Sequence, residues 1–333
     1  MHGNWLDKDR FLHLLDNPWY KLLAELQSYI SVETYRYWDS QSLKTLHLPI
    51  TTNAVSSPMG LGSDSLPVKI DLFGIETYLA DSMQFMLEYG CRFFDSGSYY
   101  VMPSFRGENA TKRHLCQFYH SEIEVPRDLN ATIEMAENYI KHLAKGILEQ
   151  FGEQINGYSG SSSHLEQLAN HEGNLPRVTF DEAAEILENN PEYIEHHEGG
   201  WRTISHAGER EMIKHFGGFV WITHYDHLSV PFYQAYADET KKSAACADLL
   251  FGLGEIVGLG ERHQTAEETI DALELHEVPA EDYRWYVEMK RKSPLKTSGF
   301  GMGVERFLMW VLSHDDIRDM QILARFNDAR TEP

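Results

Sequence analysis

Between Ser298 and Val304 every second residue is glycine: Ser298-Gly299-Phe300-Gly301-Met302-Gly303-Val304. Side chains alternate faces along an extended strand. Such a segment has one face cleared of side chains and one covered by Phe300, Met302 and Val304. Interior glycine weakens a strand and marks the close approach of a ligand or another backbone. Tight helix–sheet packing competes as an explanation, but a flat ligand lying on the cleared face accounts better for the strict period. Arg306 then opens an apolar helix over Arg306–Ser313, where free N–H groups and the helix dipole favour phosphate. The spacing fits neither a dinucleotide fingerprint nor a Walker loop.

Two further segments suit the same ligand. Asp248-Leu-Leu-Phe-Gly-Leu-Gly-Glu255-Ile-Val-Gly258-Leu-Gly-Glu261-Arg262 reads as a hairpin turning about Phe251–Gly252. That turn makes Asp248 and Glu255 cross-strand partners, with Cβ atoms about 5 Å apart and mutually repelling. A cation removes the repulsion, and two carboxylates with open positions for phosphate oxygens describe a Mg²⁺–nucleotide site. A solvated acidic hairpin is the alternative, weakened by the apolar Leu249, Leu250, Ile256 and Val257. The other segment is Phe105-Arg106-Gly-Glu108, a polar loop Asn109–Arg113, and His114-Leu-Cys-Gln-Phe118. Strand, charged turn and returning strand bring Arg106, a fork suited to phosphate, near Phe118, a face suited to a purine. A hairpin with a surface arginine and a core phenylalanine remains open.

The rest of the chain supplies context. Its 333 residues suit one large domain or two small ones. No apolar run approaches the roughly 18 residues that span a bilayer. The first residues lack a signal-peptide core. Cys91, Cys116 and Cys246 show no metal or redox spacing and fit a reducing cytoplasmic setting. A formal charge of −22 disfavours extensive contact with nucleic acid. Periodicity predicts helices over 1–27, 28–46 and 134–151. Strands are predicted over 68–73, 77–80, 98–102, 118–125, 218–223 and 247–257. Residues 156–200 read as an insertion opening with a Gly/Ser loop and carrying a capping box at Thr179–Glu182. Irregular connections between strands point to an antiparallel α+β sheet flanked by helices. His224-Tyr-Asp-His227 and Glu195-His-His-Glu198 lack partners at metal-ligand spacing and read as solvated or loop histidines. His227, near Tyr225, is the one that lends itself to lining the acceptor side of a pocket.

Together the three segments resemble motifs 2 and 3 of class II aminoacyl-tRNA synthetases, in detail those of the asparaginyl/aspartyl branch. Phe105–Glu124 is similar to its arginine–glutamate loop and following aromatic, Ala247–Arg262 to its metal-binding hairpin, and Thr297–Arg325 to its motif 3. Leu43–Thr52 resembles motif 1. The resemblance implies the class II antiparallel fold over residues 28–333, with residues 1–27 as a helical extension. It also implies ATP and Mg²⁺ as cofactors and attack of a carboxylate on the α-phosphorus. Arg106 would hold the α-phosphate, Glu108 and His114 the nucleotide, and Phe118 the adenine over Gly301 and Gly303. Arg306 would hold the γ-phosphate, and Asp248 and Glu255 the metal. Gln84, Gly258 and Arg262 would receive the acid, Arg262 at its side-chain end.

The departures from the branch shape the expected function. Leu87 stands where aspartyl enzymes carry a lysine, and Ser56–Gly62 lacks the glutamate that receives the α-ammonium. With residues 1–27 alone preceding the helix that leads into motif 1, the resemblance implies a stand-alone paralogue without the anticodon-binding barrel. The expectation is therefore an AMP-forming ligase for an asparagine- or aspartate-like acid, with ammonia or a small amine as acceptor. It would work without tRNA or membrane, and as a homodimer by family habit. An asparagine synthetase and a natural-product amide ligase are the two versions. A retired paralogue acting as a sensor, and a tRNA-charging enzyme, are the rivals.

Overall fold

The computed structural model describes residues 5–57, 65–327 and 329–332. A short helix α1 (Arg10–His13) precedes the 23-residue α2 (Pro18–Ser40). Asn17 caps α2 by accepting from the Trp19 N–H at 3.1 Å, with Pro18 in the first turn. The helix runs straight through the break expected near residue 27. Its buried stripe, Leu22, Leu23, Leu26, Ile30, Thr34 and Trp38, continues across that point at helical spacing. The N-terminal segment is also tied to the far end of the chain. Trp19 Nε1 donates to the Asp319 carbonyl (3.2 Å) and Gln27 Nε2 to that of Met320 (3.0 Å).

Next come β1 (Lys44–Thr45), β2 (Thr51–Thr52), β3 (Val68–Leu72), β4 (Ile75–Leu79) and α3 (Gln84–Phe93). The long strands β5 (Ser98–Phe105) and β6 (Gln117–Val125) lead into α4 (Leu129–Ser159). Then follow α5 (Ser163–Ala169), β7 (Arg177–Thr179), α6 (Phe180–Ile186), β8 (Ile194–His196), β9 (Arg202–Ile204) and α7 (His206–His215). The chain closes with β10 (Phe219–Thr223), β11 (Cys246–Phe251), β12 (Gly254–Glu261), α8 (Ala266–Leu275), α9 (Arg284–Lys292), β13 (Ser298–Gly303) and α10 (Val304–Val311). Eight strands form the main sheet in the order β1-β5-β6-β13-β12-β11-β10-β7. The six central strands are antiparallel, with β1 and β7 added parallel at the edges. This is the expected α+β fold, with mixed rather than purely antiparallel edges.

The rear of the sheet packs on α2 and α4. Phe300 and Met302 are fully buried there, with the Tyr139 ring centred 6.0 Å from Phe300 and 4.9 Å from Trp38. Helix α4 continues to Ser159, so the expected loop at Gly157-Tyr-Ser is its last turn. Gly160, at φ +75°, ends it. The buried stripe Leu143, Ala144, Ile147 and Ile155 outweighs the interior glycines, each of which costs about 1 kcal/mol. Residues 156–200 are built into the domain, because β7 pairs with β10. The capping box forms: Glu182 N–H donates to Thr179 Oγ1 (3.2 Å) and Thr179 N–H to Glu182 Oε2 (2.7 Å). Among the described residues no helix is long and apolar enough to cross a membrane.

Candidate active site

The glycines of β13 and β12 stand side by side on the front of the sheet. One row of register partners runs Tyr100, Glu122, Gly301, Gly258 and Asp248; the next runs Ser98, Glu124, Gly299, Gly260 and Cys246. Gly303 stands opposite His120. Partners in register project to the same face, so the glycines leave a lane two strands wide, walled by Glu122 and Glu124 on one side and Asp248 on the other. The lane is bare because its neighbours fill it. A Cβ on Gly301 would lie 2.8 Å from Glu122 Oε1, and one on Gly258 would lie 2.8 Å from Glu255 Oε1.

At the open end, Arg106, Glu108, His114, Phe118, Gly301, Gly303 and Arg306 line one cavity of about 230 Å³. Ser104 pairs with Phe118, so the loop after β5 returns Arg106 over the ring, its guanidinium carbon 5.6 Å from the centroid. Arg106 Nε and Glu108 Oε2 are buried without a hydrogen-bond partner among the described residues. The other Glu108 oxygen accepts from the Leu66 N–H at 2.8 Å. Orphaned buried donors and acceptors are rare in folded proteins and here face a cavity. Burial, together with the charges of Arg306 and Arg106, holds His114 below the usual imidazole range. Arg306 donates through Nη1 to the Glu255 carbonyl (3.1 Å) and lies 3.7 Å from its carboxylate.

The acidic pair does not sit as a simple hairpin predicts. Asp248 faces Gly258, whereas Glu255 faces Leu250; Ile256 is left unpaired by a register shift, and the turn falls at Gly252-Leu253. The bulge re-aims Glu255, so both carboxylates converge over Gly258, with Asp248 Oδ1 3.7 Å from its would-be Cβ. Burial, then the neighbouring charges of Glu255 and Glu209, raise the Asp248 carboxyl well above its ordinary range. Hard oxygen donors held this close fit a divalent cation that shares its remaining positions with phosphate. Among the described residues no group of three or more side chains forms a cage of its own.

The deep end of the lane is occupied by protein. Arg262, 3% exposed, directs Nε (3.2 Å) and Nη2 (3.1 Å) at Glu124, Nη2 also at the Gly299 carbonyl (3.3 Å), and Nη1 at Gln234 Oε1 (2.9 Å). Gln84 Nε2 donates to Glu124 Oε2 (3.0 Å) and the Ile123 carbonyl (3.2 Å). Arg262 and Gln84, expected to face the acid, are thus engaged with each other's partner. Gly258, also expected at the acid, lies instead beside Glu255 and Asp248. Glu122 accepts from Ser82 Oγ (2.7 Å) and the Tyr100 hydroxyl, and burial pushes its carboxyl up to about 8. Leu87 is fully buried beside Ala80, Met83 and Tyr100. Of Ser56–Gly62, Ser56 and Ser57 are held by Asp81, and residues 58–62 lie outside the described residues.

Several side chains at the site escaped the sequence reading. Arg113 lines the cavity and donates to the Leu253 carbonyl at the hairpin turn (2.8 Å). Glu305 lines it too, raised to about 7 by burial. Glu122 and Glu124 were legible in principle: with Phe118 and His120 they occupy alternate positions of β6, all on the lane side. Glu209 and Gln234 carry no local signal. Of the two readings of His227, solvated or loop, the solvated one is overturned: the residue lies in the connection between β10 and β11 but is buried. It is 1% exposed, with Nε2 2.8 Å from the Gln234 carbonyl and Nδ1 2.9 Å from His276 Nε2. Glu195, His196 and Glu198 are exposed, and His197 stacks on Trp201.

Residues 4–327 match the family described as tRNA synthetases class II (D, K and N). The asparagine–tRNA ligase of Koribacter versatilis is 28% identical over 311 residues, 91% of this chain and 68% of that protein. That of Clostridium beijerinckii is 28% identical over 317 residues, 89% and 68% respectively. Among solved structures, asparaginyl-tRNA synthetase from Pyrococcus horikoshii complexed with asparaginyl-adenylate superposes with a TM-score of 0.88 at 23% identity, covering 98% of this chain and 73% of that one. The aspartyl-tRNA synthetase of Entamoeba histolytica gives a TM-score of 0.77 at 21% identity, covering 98% and 62%.

Proposed function

The chain belongs to the class II tRNA synthetase family of the D, K and N type, and on that premise we propose that it is an ATP-dependent, AMP-forming ligase that adenylates an amino acid. One observation carries this reading: Arg106 and Arg306 line a single cavity floored by Gly301 and Gly303, with Phe118 on its wall and Asp248 and Glu255 beside it. A carboxylate oxygen of the acid attacks the α-phosphorus, the bond to the bridging oxygen of the β-phosphate breaks, and pyrophosphate leaves. Arg106 neutralises the α-phosphate and Arg306 the γ-phosphate, while Phe118 stacks on adenine and Glu108 and His114 fix the nucleotide. A neutral His114 adds no charge to a nucleotide that two arginines already balance. Asp248 and Glu255 would hold Mg²⁺, which would supply charge neutralisation to the leaving phosphates. Adenylation of this kind depends on positioning and preset charge more than on a dedicated base.

The acyl group then passes to an amine, whose nitrogen attacks the carbonyl and expels AMP. Ammonia or a small amine suits a chain of net charge −22 better than a polyanion does. Asparagine and aspartate are among the acids to test, since the relatives above are named for asparagine. Leu87, buried among apolar neighbours, offers no cation to a second carboxylate. Amino-acid-dependent exchange of pyrophosphate into ATP tests the reading. Exchange with at least one acid supports it; silence across all proteinogenic acids, from folded protein that binds ATP and Mg²⁺, overturns it and leaves a sensor.

A second reading, tRNA charging, is favoured by the names of the relatives that match 89–91% of the chain. Gel shift against total tRNA at low salt separates the two, since robust binding supports charging. Assembly as a homodimer is tested by sedimentation.

A further inference from the structure

The deep end of the glycine lane carries an inference that rests on the adenylation reading and narrows it. We propose that Gln234 plugs the side-chain end of the acid pocket, so that the acid adenylated here is a short α-amino acid, of glycine, alanine or serine size, whose side chain does not reach Arg262.

Along the lane, among the described residues, the path to Arg262 runs over Gly260 and Gly299, which pair across β12 and β13. The Gln234 carboxamide lies directly on Gly260, closer than any Cβ there would tolerate. Its Oε1 accepts from Arg262 Nη1 at 2.9 Å. The neighbouring strand position belongs to Gln84, whose Nε2 stands 2.6 Å from a would-be Cβ of Gly299 and donates to Glu124. The Gly260 half of the row is therefore covered by the Gln234 carboxamide and the Gly299 half by Glu124 and Gln84, all from the chain itself.

The chemistry at Arg262 is as complete as the space. Nε and Nη2 are held by Glu124 and the Gly299 carbonyl, and Nη1 by Gln234, at a residue only 3% exposed. A substrate carboxamide or carboxylate would need the oxygen position that Gln234 Oε1 occupies. The root of Gln234 is also pinned. Its N–H donates to the Pro231 carbonyl (3.1 Å), its own carbonyl lies 2.8 Å from buried His227 Nε2, and Ala235 N–H donates to the Glu261 carbonyl (2.7 Å). Moving the side chain therefore means taking from Arg262 Nη1 its Gln234 acceptor while the backbone stays put.

The row of Gly301 and Gly258 lies two residues away, about 7 Å along the strands; Gly301 borders the nucleotide cavity, while Glu122 and Glu255 stand 2.8 Å from would-be Cβ atoms of Gly301 and Gly258. A short acid with its carboxylate toward Arg106 ends before the plug. An asparagine in the same pose would run into Gln234.

Pyrophosphate exchange with glycine, alanine, serine, asparagine and aspartate, on wild-type protein, Gln234→Ala and Gln234→Glu, tests the proposal. Wild type is expected to use a short acid at least tenfold better in kcat/KM than asparagine or aspartate. Gln234→Ala should raise asparagine at least tenfold, its remaining exchange with the short acid reporting that it is folded. Gln234→Glu, which keeps the length and still pairs with Arg262, should retain the wild-type preference; it also serves if the alanine variant fails to fold. Asparagine or aspartate as the best wild-type substrate, or a Gln234→Ala variant that exchanges with the short acid yet gains nothing for asparagine, overturns the plug while leaving adenylation intact. No exchange with any acid overturns both.

Discussion

The Glu255 carboxylate reaches over Gly258 to 2.8 Å from where a Cβ would stand. The unpaired Ile256 turns β12 so that Glu255 comes onto the lane, and only glycine at 258 leaves room for it beside Asp248. Gly258→Ala should therefore displace Glu255 and weaken MgATP binding. The expected rise in KM for MgATP is about tenfold, near 1.4 kcal/mol, with urea-unfolding stability within about 1 kcal/mol of wild type. An unchanged KM would mean that the pair does not face the nucleotide's cation.

Arg262 and Glu124 form a buried ion pair, 3.1 Å between Nη2 and Oε2. Arg262→Ala leaves the Glu124 carboxylate buried without its countercharge, a loss of about 3–5 kcal/mol. Chemical denaturation should show this directly, so damage to acid recognition arrives together with damage to the fold. Arg306→Ala, at a partly exposed residue, should instead leave the unfolding midpoint within about 1 kcal/mol and lower activity about 100-fold or more.

Burial raises the Glu122 carboxyl to about 8. In the unfolded chain this group ionises near its ordinary value of 4.5, while the native state keeps its proton. Between those two pH values the native state binds more protons, so stability falls as pH rises through the window. Glu122→Gln removes the titrating group. Its urea midpoint should decline less than that of wild type from pH 5 to 8, by roughly 2 kcal/mol at the upper end.

His227 behaves in the opposite sense. Burial lowers it to about 4, so the native state holds it neutral while the unfolded chain protonates near 6.5. This stabilisation is complete above 6.5 and is lost as pH falls toward 4. His227→Gln should flatten the acid side of the stability profile, measured by thermal unfolding from pH 7 to 4.5. An equally steep acid limb in the variant would place the titrating group elsewhere.

The grouping of residues around the cavity at the open end of the lane is legible in the sequence because its signals are local. Alternating glycines need one strand, and Arg106 and Phe118 need one hairpin, so spacing alone brings each set together. The acid end is not legible, because it is assembled across the sheet. Gln84, Glu124, Gln234 and Arg262 are separated by as many as 138 residues between hydrogen-bonded partners, and no local period links them. Helix boundaries misled for a related reason: the stripe from Leu22 to Trp38 is read correctly only with the sheet it packs on, and the Gly157–Ser159 turn looks like a loop until Ile155 is seen to be buried. The bulge at Ile256 has no composition signature, which is why Asp248 and Glu255 converge over Gly258 rather than face each other.

The most direct measurement follows the oxygen atoms. With an accepted amino acid labelled with ¹⁸O in its carboxylate, attack on the α-phosphorus transfers one labelled oxygen to the AMP that is released. Mass spectrometry of the products should find the label in AMP and none in inorganic phosphate. Label in phosphate, with ADP as the companion product, would mean that Arg106 and Arg306 grip the nucleotide for γ-phosphoryl transfer and that the acid is never adenylated.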